Sequence, residues 1–482
     1  MNYRMVLYII GQMLKVEGIL MLMPLVCAAI YKESVLPFLI PVMILLFLGV
    51  VLTVRPPRDK ALGAKDGFVC VGLAWILLSA FGAIPFLLGG ATSSVTDAFF
   101  ECVSGFTTTG ASVFSDVESL GRGILFWRSL THWIGGMGVL VFVLAVLPKS
   151  DAKSGRLMYL MRAEVPGPVV GKIVPKMAQT ARVMYAIYVG LTFLEVLFLL
   201  FGGMELFDAL LHSFGTAGTG GFGIKNNSIA FYNSPYIEYV IGVFMLLFGI
   251  NFNLFYLILI GRAFRAFKSE ELWTYLTVVF VSVGAITLNI MHLYQSGEES
   301  FRKALFQVAT IISTTGYSTA DFTQWPVLSQ AIIALLMFCG GCAGSTAGGL
   351  KVGRIIILIK TAAKEIKYIL HPRTVTTVKI DGKPTEYQTI RGAMSYIIIF
   401  IALFVCTFLA IIILDGCDLV TGFTAVSACI NNIGPGLGEV GPAANFGFLS
   451  TASKWLLSFD MLAGRLELFP ILMLFSPSTW KK

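Results

Sequence analysis

The chain has 482 residues, of which 56% are apolar and only 13% are charged, and its formal net charge is +8. Its mean hydropathy is +0.82. A soluble domain carries about a quarter of its residues as charges, so this composition excludes an ordinary soluble protein and predicts a polytopic membrane protein. The excess of Lys and Arg collects between apolar runs, which indicates membrane orientation and not nucleic-acid binding.

Runs of about 20 mainly apolar residues, the length that crosses about 30 Å of hydrocarbon, occur about ten times along the chain. The predicted spans are approximately 5–30, 35–54, 68–90, 124–148, 183–203, 236–260, 272–293, 328–366, 393–414 and 450–475. Basic connectors at 55–65, 149–182, 262–268 and 360–391 all follow even-numbered spans, so they share one side of the membrane. The positive-inside rule places that side, and both termini, in the cytoplasm.

Four short segments between the spans resemble one another when each is aligned, without gaps, on one glycine. They are "DAFFECVSGFTTTGAS", "DALLHSFGTAGTGGFG", "KALFQVATIISTTGYS" and "TGFTAVSACINNIGPG", aligned on Gly110, Gly221, Gly316 and Gly434. Each offers about ten residues of helix-compatible sequence, which is too short to cross the bilayer. Non-helical backbone at membrane depth is tolerated only inside protein or along a water-filled path. The repeats therefore predict four re-entrant segments around a central pathway.

The predicted fold is an all-α membrane protein with two leading helices followed by four copies of span, re-entrant pore helix and span. The expected boundaries are 1–66 for the leading helices, 67–150 for the first pore repeat, 151–268 for a cytoplasmic connector and the second repeat, 269–366 for the third repeat, and 367–482 for a second cytoplasmic connector and the fourth repeat. All four repeats run in one direction, which favours a pore over the substrate cavity that an ion-coupled solute transporter builds between inverted repeats.

The chemistry of the four segments suits a monovalent cation. A short helix that enters the membrane from outside directs its carbonyl groups and the negative end of its dipole at the centre. Glycine then permits backbone angles that aim successive carbonyl oxygens inward, where they replace the hydration shell of an ion. Asp97 and Asp208, near the helix starts, are expected to add negative potential at the outer mouth. No ring of Asp or Glu follows the helices, so a divalent ion is disfavoured.

The motifs "TTTGAS", "GTGGFG", "TTGYST" and "NNIGPGLG", in this order, resemble the filter segments of the Trk/Ktr/HKT superfamily of potassium transporters. The length and the two leading helices are most similar to TrkH-type subunits. The resemblance implies potassium uptake across the bacterial inner membrane, a pseudo-fourfold pore within one subunit, a homodimer, and a cytoplasmic nucleotide-binding partner of the TrkA type. It also implies potassium-binding carbonyl groups at Thr108, Thr109, Gly110, Thr219, Gly220, Gly221, Thr314, Thr315, Gly316, Asn432, Ile433 and Gly434.

The sequence leaves two alternatives for ion selectivity, a potassium-selective pathway and a weakly selective one. Members of the superfamily that pass sodium often carry serine at the position of Gly110, so the glycine favours potassium. The four loops differ in their side chains, however, and a weakly selective Na⁺/K⁺ channel or transporter stays open as the alternative.

The segment "CGGCAGSTAGGLKVGR", residues 339–354, interrupts the eighth predicted span. A phosphate-binding Walker loop is disfavoured, because Leu350 precedes Lys351 and Val352 follows it. Each glycine lowers helix stability by about 1 kcal/mol relative to alanine, so the segment predicts either a break in the helix or a close packing surface of small residues. The resemblance implies an intramembrane gate formed by Gly340, Gly341, Gly344, Ser345, Thr346, Gly348 and Gly349.

Arg465, in the last span, is the other costly residue, because a guanidinium at membrane depth normally faces the bundle interior or water. Asp460 and Glu467 are not three or four residues away, so neither faces it on a helix. An ion pair with an acid on another span is one role. The resemblance implies the other, a component of the gate below the filter, where a positive charge raises the barrier for a cation.

An enzyme is not indicated. The four histidines, His132, His212, His292 and His371, are scattered and form no metal-binding or nucleophile motif. No cofactor is expected in this chain apart from potassium in the filter, and any nucleotide control must come through the partner. The basic connectors 149–182 and 360–391 are either docking surfaces for that partner or topology signals alone. The chain is expected to contact membrane lipids and is not expected to bind nucleic acid.

Overall fold

The computed structural model describes residues 1–57, 63–138, 177–374 and 376–480. Within these ranges the chain is mostly helical, which confirms the predicted all-α membrane fold. Six of the described helices are long and apolar enough to cross a membrane: Tyr3–Ile30, Leu36–Thr53, Lys65–Leu88, Arg182–Phe201, Glu270–Ile290 and Tyr387–Asp415. A seventh crossing is counted if the bent pair Pro235–Phe248 and Phe252–Leu259 forms one span.

The leading part of the chain contains α1 (Tyr3–Leu20), α2 (Leu22–Ile30) and α3 (Leu36–Thr53). Helices α1 and α3 cross where Gly11 faces Gly49, because two residues without side chains let the backbones approach closely. Lys15 Nζ donates a hydrogen bond to Thr53 Oγ1 at 3.1 Å, which anchors this pair near one end.

The first two repeats follow the predicted order of span, short helix and second helix. Their helices are α4 (Ala64–Gly82), α5 (Ile84–Leu88), α6 (Val95–Phe106), α7 (Arg122–Met137), α8 (Met177–Phe201), α9 (Leu206–Gly218), α10 (Pro235–Phe248), α11 (Phe252–Leu259) and α12 (Ala263–Ala266). The short helix α6 begins at Ser94, whose hydroxyl accepts a hydrogen bond from the Asp97 amide at 3.2 Å. This cap supplies one of the partners that the first turn of a helix lacks.

The last two repeats enclose a small hairpin. Their elements are α13 (Glu270–Ile290), α14 (Gly297–Ile312), α15 (Val327–Cys339), α16 (Val352–Leu370), β1 (Lys379–Ile380), β2 (Lys383–Pro384), α17 (Tyr387–Asp415), α18 (Leu419–Ile430), α19 (Thr451–Arg465), α20 (Phe469–Phe475) and α21 (Pro477–Trp480). The strands β1 and β2 pair in antiparallel fashion. Single 3₁₀ turns occur at Ser228–Tyr232, Phe322–Gln324 and Gly438–Val440.

Three of the ten predicted spans are broken. The span predicted at 236–260 bends by 94° between α10 and α11, where the Asn251 side chain accepts a hydrogen bond from the Asn253 amide at 2.9 Å and starts the new helix. The span predicted at 328–366 is unwound between α15 and α16. The span predicted at 450–475 stops after Arg465, and Pro470 opens the next helix. Continuous apolar runs conceal such breaks.

Two predicted features extend beyond the described residues. The span predicted at 124–148 contains α7, which ends at Met137, and residues 139–148 lie outside the described ranges. Most of the predicted basic connector at 149–182 also lies outside them, up to residue 176.

Candidate ion pathway

The loops that follow the four short helices α6, α9, α14 and α18 are named here the filter loops, residues 108–110, 219–221, 314–316 and 432–434. Their first residues have left-handed φ angles: 55° at Thr108, 56° at Thr219, 57° at Thr314 and 56° at Asn432. Their glycines are left-handed as well: 80° at Gly110, 73° at Gly221, 92° at Gly316 and 98° at Gly434. Because left-handed φ is uncommon for residues other than glycine, this shared geometry indicates a strong common constraint.

Each filter loop turns back onto its own short helix through the same hydrogen bond. The amide of the middle residue donates to the carbonyl five positions earlier: Thr109 to Ser104 at 2.9 Å, Gly220 to Gly215 at 2.8 Å, Thr315 to Thr310 at 2.8 Å and Ile433 to Ala428 at 2.9 Å. The four loops are therefore structural copies, although their side chains differ.

The four filter loops form a closed ring. Each glycine packs against the middle carbonyl oxygen of the next loop: Gly110 against Gly220, Gly221 against Thr315, Gly316 against Ile433 and Gly434 against Thr109. A Cβ atom at Gly434 would lie 2.8 Å from the Thr109 oxygen, and at the other three glycines it would overlap the facing oxygen. The contacts run from loop to loop and return to the first, so backbone groups surround one common axis.

All four ring glycines also line a single cavity of about 140 Å³ at the mouth of the ring. Several loop side chains bind other protein atoms, although Thr108 Oγ1 and Asn432 Oδ1 have no hydrogen-bond partner. Asn432 Nδ2 donates to Thr109 Oγ1 at 3.0 Å and to the Met461 carbonyl at 2.9 Å. Within the described ranges, no group of three His, Cys, Asp or Glu residues could hold a metal ion. A cation in the ring would consequently meet backbone carbonyls and neutral side chains.

A buried ion pair supports the first two loops, and the sequence reasoning missed it. Arg128 Nη2 lies 2.7 Å from Glu101 Oε1, and both side chains are almost fully buried. Arg128 Nη1 also donates to the Gly223 carbonyl at 3.1 Å, just past the second loop. Ser112 Oγ donates to Glu101 at 3.0 Å. The available signal was an acid in the middle of α6, Glu101, and a base in the middle of α7, Arg128, each among mainly apolar neighbours.

His132 joins the same two loops by a different route. Its Nδ1 donates to the Gly105 carbonyl at 2.8 Å, and its Nε2 accepts from the Phe222 amide at 3.2 Å. A carbonyl only accepts and an amide only donates, so the imidazole is neutral with its proton on Nδ1. His132 is therefore a hydrogen-bonded residue of α7 that joins the first two filter loops.

The two acids near the starts of the short helices are partnered. Lys454 Nζ lies 2.7 Å from Asp97 Oδ1, so the charge of Asp97 is compensated. Tyr232 donates to Asp208 Oδ2 at 2.7 Å. The expectation that Asp97 adds net negative potential at the outer mouth is therefore wrong, because Lys454 neutralises its charge. Lys454 lies on α19, far from Asp97 in the sequence.

The segment between α15 and α16, residues 340–351, is named here the intramembrane loop. It has no helical structure, and Gly340, Gly344, Gly349 and Lys351 have left-handed φ angles between 69° and 77°. Most of its residues are buried. The Gly348 amide donates to Thr314 Oγ1 at 2.6 Å, and Gly348 also packs against the Asn431 carbonyl. The loop thus lies directly against the third and fourth filter loops.

Arg465, at the end of α19, is buried and donates to three backbone carbonyls. Nη1 contacts Thr346 at 2.8 Å, and Nη2 contacts Gly135 and Gly136 at 2.6 Å each. The last two carbonyls belong to the C-terminal turn of α7, where the helix dipole favours a cation. Arg465 therefore ties the intramembrane loop to the first and fourth repeats.

The remaining contacts of the intramembrane loop reach the second repeat and α13. The Cys342 amide donates to the Gly249 carbonyl at 2.9 Å, in the bend between α10 and α11, and the Ala343 amide donates to Glu271 Oε1 at 2.7 Å. Just past the loop, Arg354 forms an ion pair with Glu467 and lies 3.9 Å from the ring centre of Tyr396. The loop consequently contacts the second, third and fourth repeats directly and is linked to the first repeat through Arg465.

Comparison with known proteins identifies the family. Residues 37–482 match the family model described as "TrkH: Cation transport protein". The chain is 36% identical, over the full length of both proteins, to the Trk system potassium uptake protein TrkH of Vibrio parahaemolyticus and to that of Escherichia coli strain K12. The crystal structure of the potassium transporter TrkH from Vibrio parahaemolyticus matches with a TM-score of 0.88 and 35% identity, covering all of both chains. These relatives are named as transporters and not as enzymes. The chain belongs to the TrkH family of cation transport proteins.

Proposed function

We propose that this chain takes up potassium across the bacterial inner membrane through the ring of filter loops. The observation that carries the proposal is the closed contact of four loops, each with the same left-handed backbone, around one axis. A ring of carbonyl oxygens replaces the hydration shell of a monovalent ion without adding fixed charge. The relatives at 36% identity are named potassium uptake proteins, which supports this ion. The potassium ligands would be the backbone carbonyls of residues 108–110, 219–221, 314–316 and 432–434.

The intramembrane loop is proposed as the gate of this pathway. It is non-helical, it lies against two filter loops, and Arg465 holds it through the Thr346 carbonyl. A buried guanidinium below the filter raises the barrier for a cation, so the described arrangement would be the closed one. Opening would require the loop to leave the filter and Arg465 to release at least one carbonyl.

Control from the cytoplasm is proposed to come through a partner of the TrkA type. Relatives are named as parts of a Trk system, which supports a protein of several components. The connector 360–391, which carries the hairpin β1–β2, would be one docking surface, and 149–182 would be another. A homodimer and cytoplasmic termini complete the proposed arrangement.

The proposal is tested by rubidium uptake in a bacterium that lacks its own potassium uptake systems, with the regulatory partner supplied. The wild-type chain is expected to restore growth on low potassium and to take up rubidium, and excess sodium is expected to compete only weakly. Gly316→Ser is expected to abolish uptake, because its Cβ atom would overlap the Ile433 oxygen. The matched control is Gly284→Ser, since Gly284 faces open space. No growth with wild type, at normal membrane expression, would contradict the proposal, and equal competition by sodium would favour a weakly selective channel.

A further inference from the structure

A large cavity lies on the cytoplasmic side of the second and third repeats, outside the ion pathway. Its volume is about 970 Å³. Its walls come from α11, from the segment that connects α11 to α13, from the start of α16 and from the hairpin β1–β2. Neither the family match nor the proposed ion pathway assigns a role to it.

The polar wall of this cavity is basic. Arg262, Arg265, Lys268 and Lys383 line it, and none of the ion pairs in the described part of the chain includes any of the four. The two acids that face them, Glu271 and Asp381, are occupied. Glu271 Oε1 accepts from the Ala343 amide at 2.7 Å, and Asp381 Oδ1 accepts from the Glu270 amide at 2.8 Å. These bonds leave the two carboxylates charged, but four cations against two carboxylates give the wall a formal charge of +2, so the cavity favours an anionic ligand.

The opposite wall is apolar, which restricts what kind of anion fits. Leu254, Leu257 and Ile260 line it from α11 and its end, and Ile356 and Ile357 line it from α16. A free phosphate ion would satisfy the cations and leave this wall facing water. A phospholipid satisfies both, because its anionic headgroup pairs with Arg and Lys while its acyl chains cover apolar surface.

The surroundings of the cavity have the composition of a membrane–water boundary. Exposed aromatic side chains alternate with the cations: Phe264 is 74% exposed, Phe267 is 56% exposed and Trp273 is 55% exposed. Aromatic and basic residues concentrate where headgroups meet the hydrocarbon. Leu259, on α11, is 72% exposed, and α11 turns 94° from α10. This short helix therefore offers an apolar side to lipid beside the cations.

We propose that the cavity binds an anionic phospholipid, with the headgroup on Arg262, Arg265, Lys268 and Lys383 and the acyl chains along α11. Basic pockets between membrane helices on the cytoplasmic side are a recurrent form of lipid recognition. The binding site itself is independent of the function proposed above.

A bound lipid would also adjoin the intramembrane loop. Ala343 of that loop and Gly353 of α16 line the cavity, and a Cβ atom at Gly353 would lie 2.8 Å from Glu271 Oε1. The Phe252 amide of α11 donates to the Gly344 carbonyl at 3.1 Å. A lipid that bridges α11 and α16 stabilises this arrangement, so its loss is expected to raise partner-independent flux. This second step rests on the proposed gate.

Binding is tested on the delipidated full-length protein by native mass spectrometry, with phosphatidylglycerol and phosphatidylcholine of identical acyl chains. Wild type is expected to prefer phosphatidylglycerol, and the triple variant R262Q/R265Q/K268Q is expected to lose at least about tenfold in that binding. The matched control neutralises three exposed cations of the connector 360–391 that do not line the cavity, K367Q/R373Q/R391Q. The single variant Lys383→Gln, in the exposed hairpin, provides the same comparison if the triple variant does not fold.

Three results would overturn the lipid site: no preference in wild type, equal loss in the control variant, or displacement of phosphatidylglycerol by inorganic phosphate at matched ionic strength. Loss of co-purification with the regulatory partner, without any lipid preference in wild type, would assign the cavity to a protein and overturn it as well. Rubidium flux into vesicles with and without phosphatidylglycerol then tests the second step. If phosphatidylglycerol binds but rubidium flux is the same with and without it, the coupling of the lipid to the gate is overturned. If no rubidium flux occurs under any condition, the result contradicts the proposed function and not the lipid site.

Discussion

Backbone positions, more than side chains, determine the candidate filter. Four residues that carry a Cβ atom, three threonines and one asparagine, adopt left-handed φ angles at equivalent places, and four glycines follow two residues later. The strain is tolerated because each loop is held by a hydrogen bond to its own helix and by contact with the next loop. Thr219, Thr314 and the amide nitrogen of Asn432 bind other protein atoms, whereas Thr108 Oγ1 has no hydrogen-bond partner.

Gly110→Ser tests whether this contact sets selectivity. A Cβ atom at Gly110 would overlap the Gly220 oxygen, and the residue also has a φ of 80°. We expect the displaced loop to reduce the preference for rubidium over sodium by about tenfold, which corresponds to about 1.4 kcal/mol at the filter. Uptake of both ions, measured with the regulatory partner present, gives this ratio. Gly284→Ser is the control, and an unchanged ratio in Gly110→Ser would contradict a filter at this loop.

Glu101→Gln tests the buried ion pair behind the first two loops. The change leaves Arg128 buried without its carboxylate, which typically costs about 3–5 kcal/mol. We expect a large loss of thermal stability in detergent, and partial recovery when Arg128→Met is added, because the double variant buries no unpaired charge. Glu298→Gln is the control, since Glu298 forms an exposed pair with Arg302. Equal losses of thermal stability in Glu101→Gln and Glu298→Gln would show that burial does not increase the contribution of the Glu101–Arg128 pair to stability.

Whole elements were predictable from sequence where their pattern is local. Apolar length located the unbroken spans, and the shared glycine located the four short helices α6, α9, α14 and α18. The break between α15 and α16 was one of two alternatives for that segment, because five glycines oppose a helix there. The 94° bend between α10 and α11 was not expected, since Asn251 and the contact of Gly249 with Cys342 act within an otherwise apolar run. The partners of Arg465 and Asp97 are hundreds of residues away and could not be read from spacing.

Arg465→Gln tests the intramembrane loop as a gate. The change removes a buried guanidinium that donates to Thr346, Gly135 and Gly136. We expect rubidium flux without the regulatory partner to rise at least about tenfold, because both the positive charge and one attachment of the loop are lost. Flux into vesicles that contain the purified chain alone measures this. Lys454→Gln is the control on the same helix, since Lys454 pairs with Asp97 away from the loop. An Arg465→Gln variant whose rubidium flux without the partner stays as low as that of the wild type would argue against the gate.

The molecule as a whole follows from repetition around one axis. Each filter loop contacts the next, and the intramembrane loop contacts three repeats directly and the first through Arg465, so we expect displacement of one segment to affect the whole ring. The family match starts at residue 37, after α1 and α2, and includes every filter loop. The ring and the intramembrane loop are therefore within the part of the chain that the family model matches.

Orientation of the whole molecule is tested by labelling single cysteines in intact cells with a membrane-impermeant maleimide. Ser119→Cys lies in the exposed turn between α6 and α7, and Arg373→Cys lies in the exposed connector after α16. Because Lys and Arg concentrate in connectors on one side, we expect Ser119→Cys to be labelled from outside and Arg373→Cys only after the cells are opened. The unsubstituted chain, with its native cysteines, gives the background. Labelling of Arg373→Cys in intact cells would place the basic connectors outside the cell. The proposed cytoplasmic partner, and the position of the gate on the cytoplasmic side of the filter, would then be wrong.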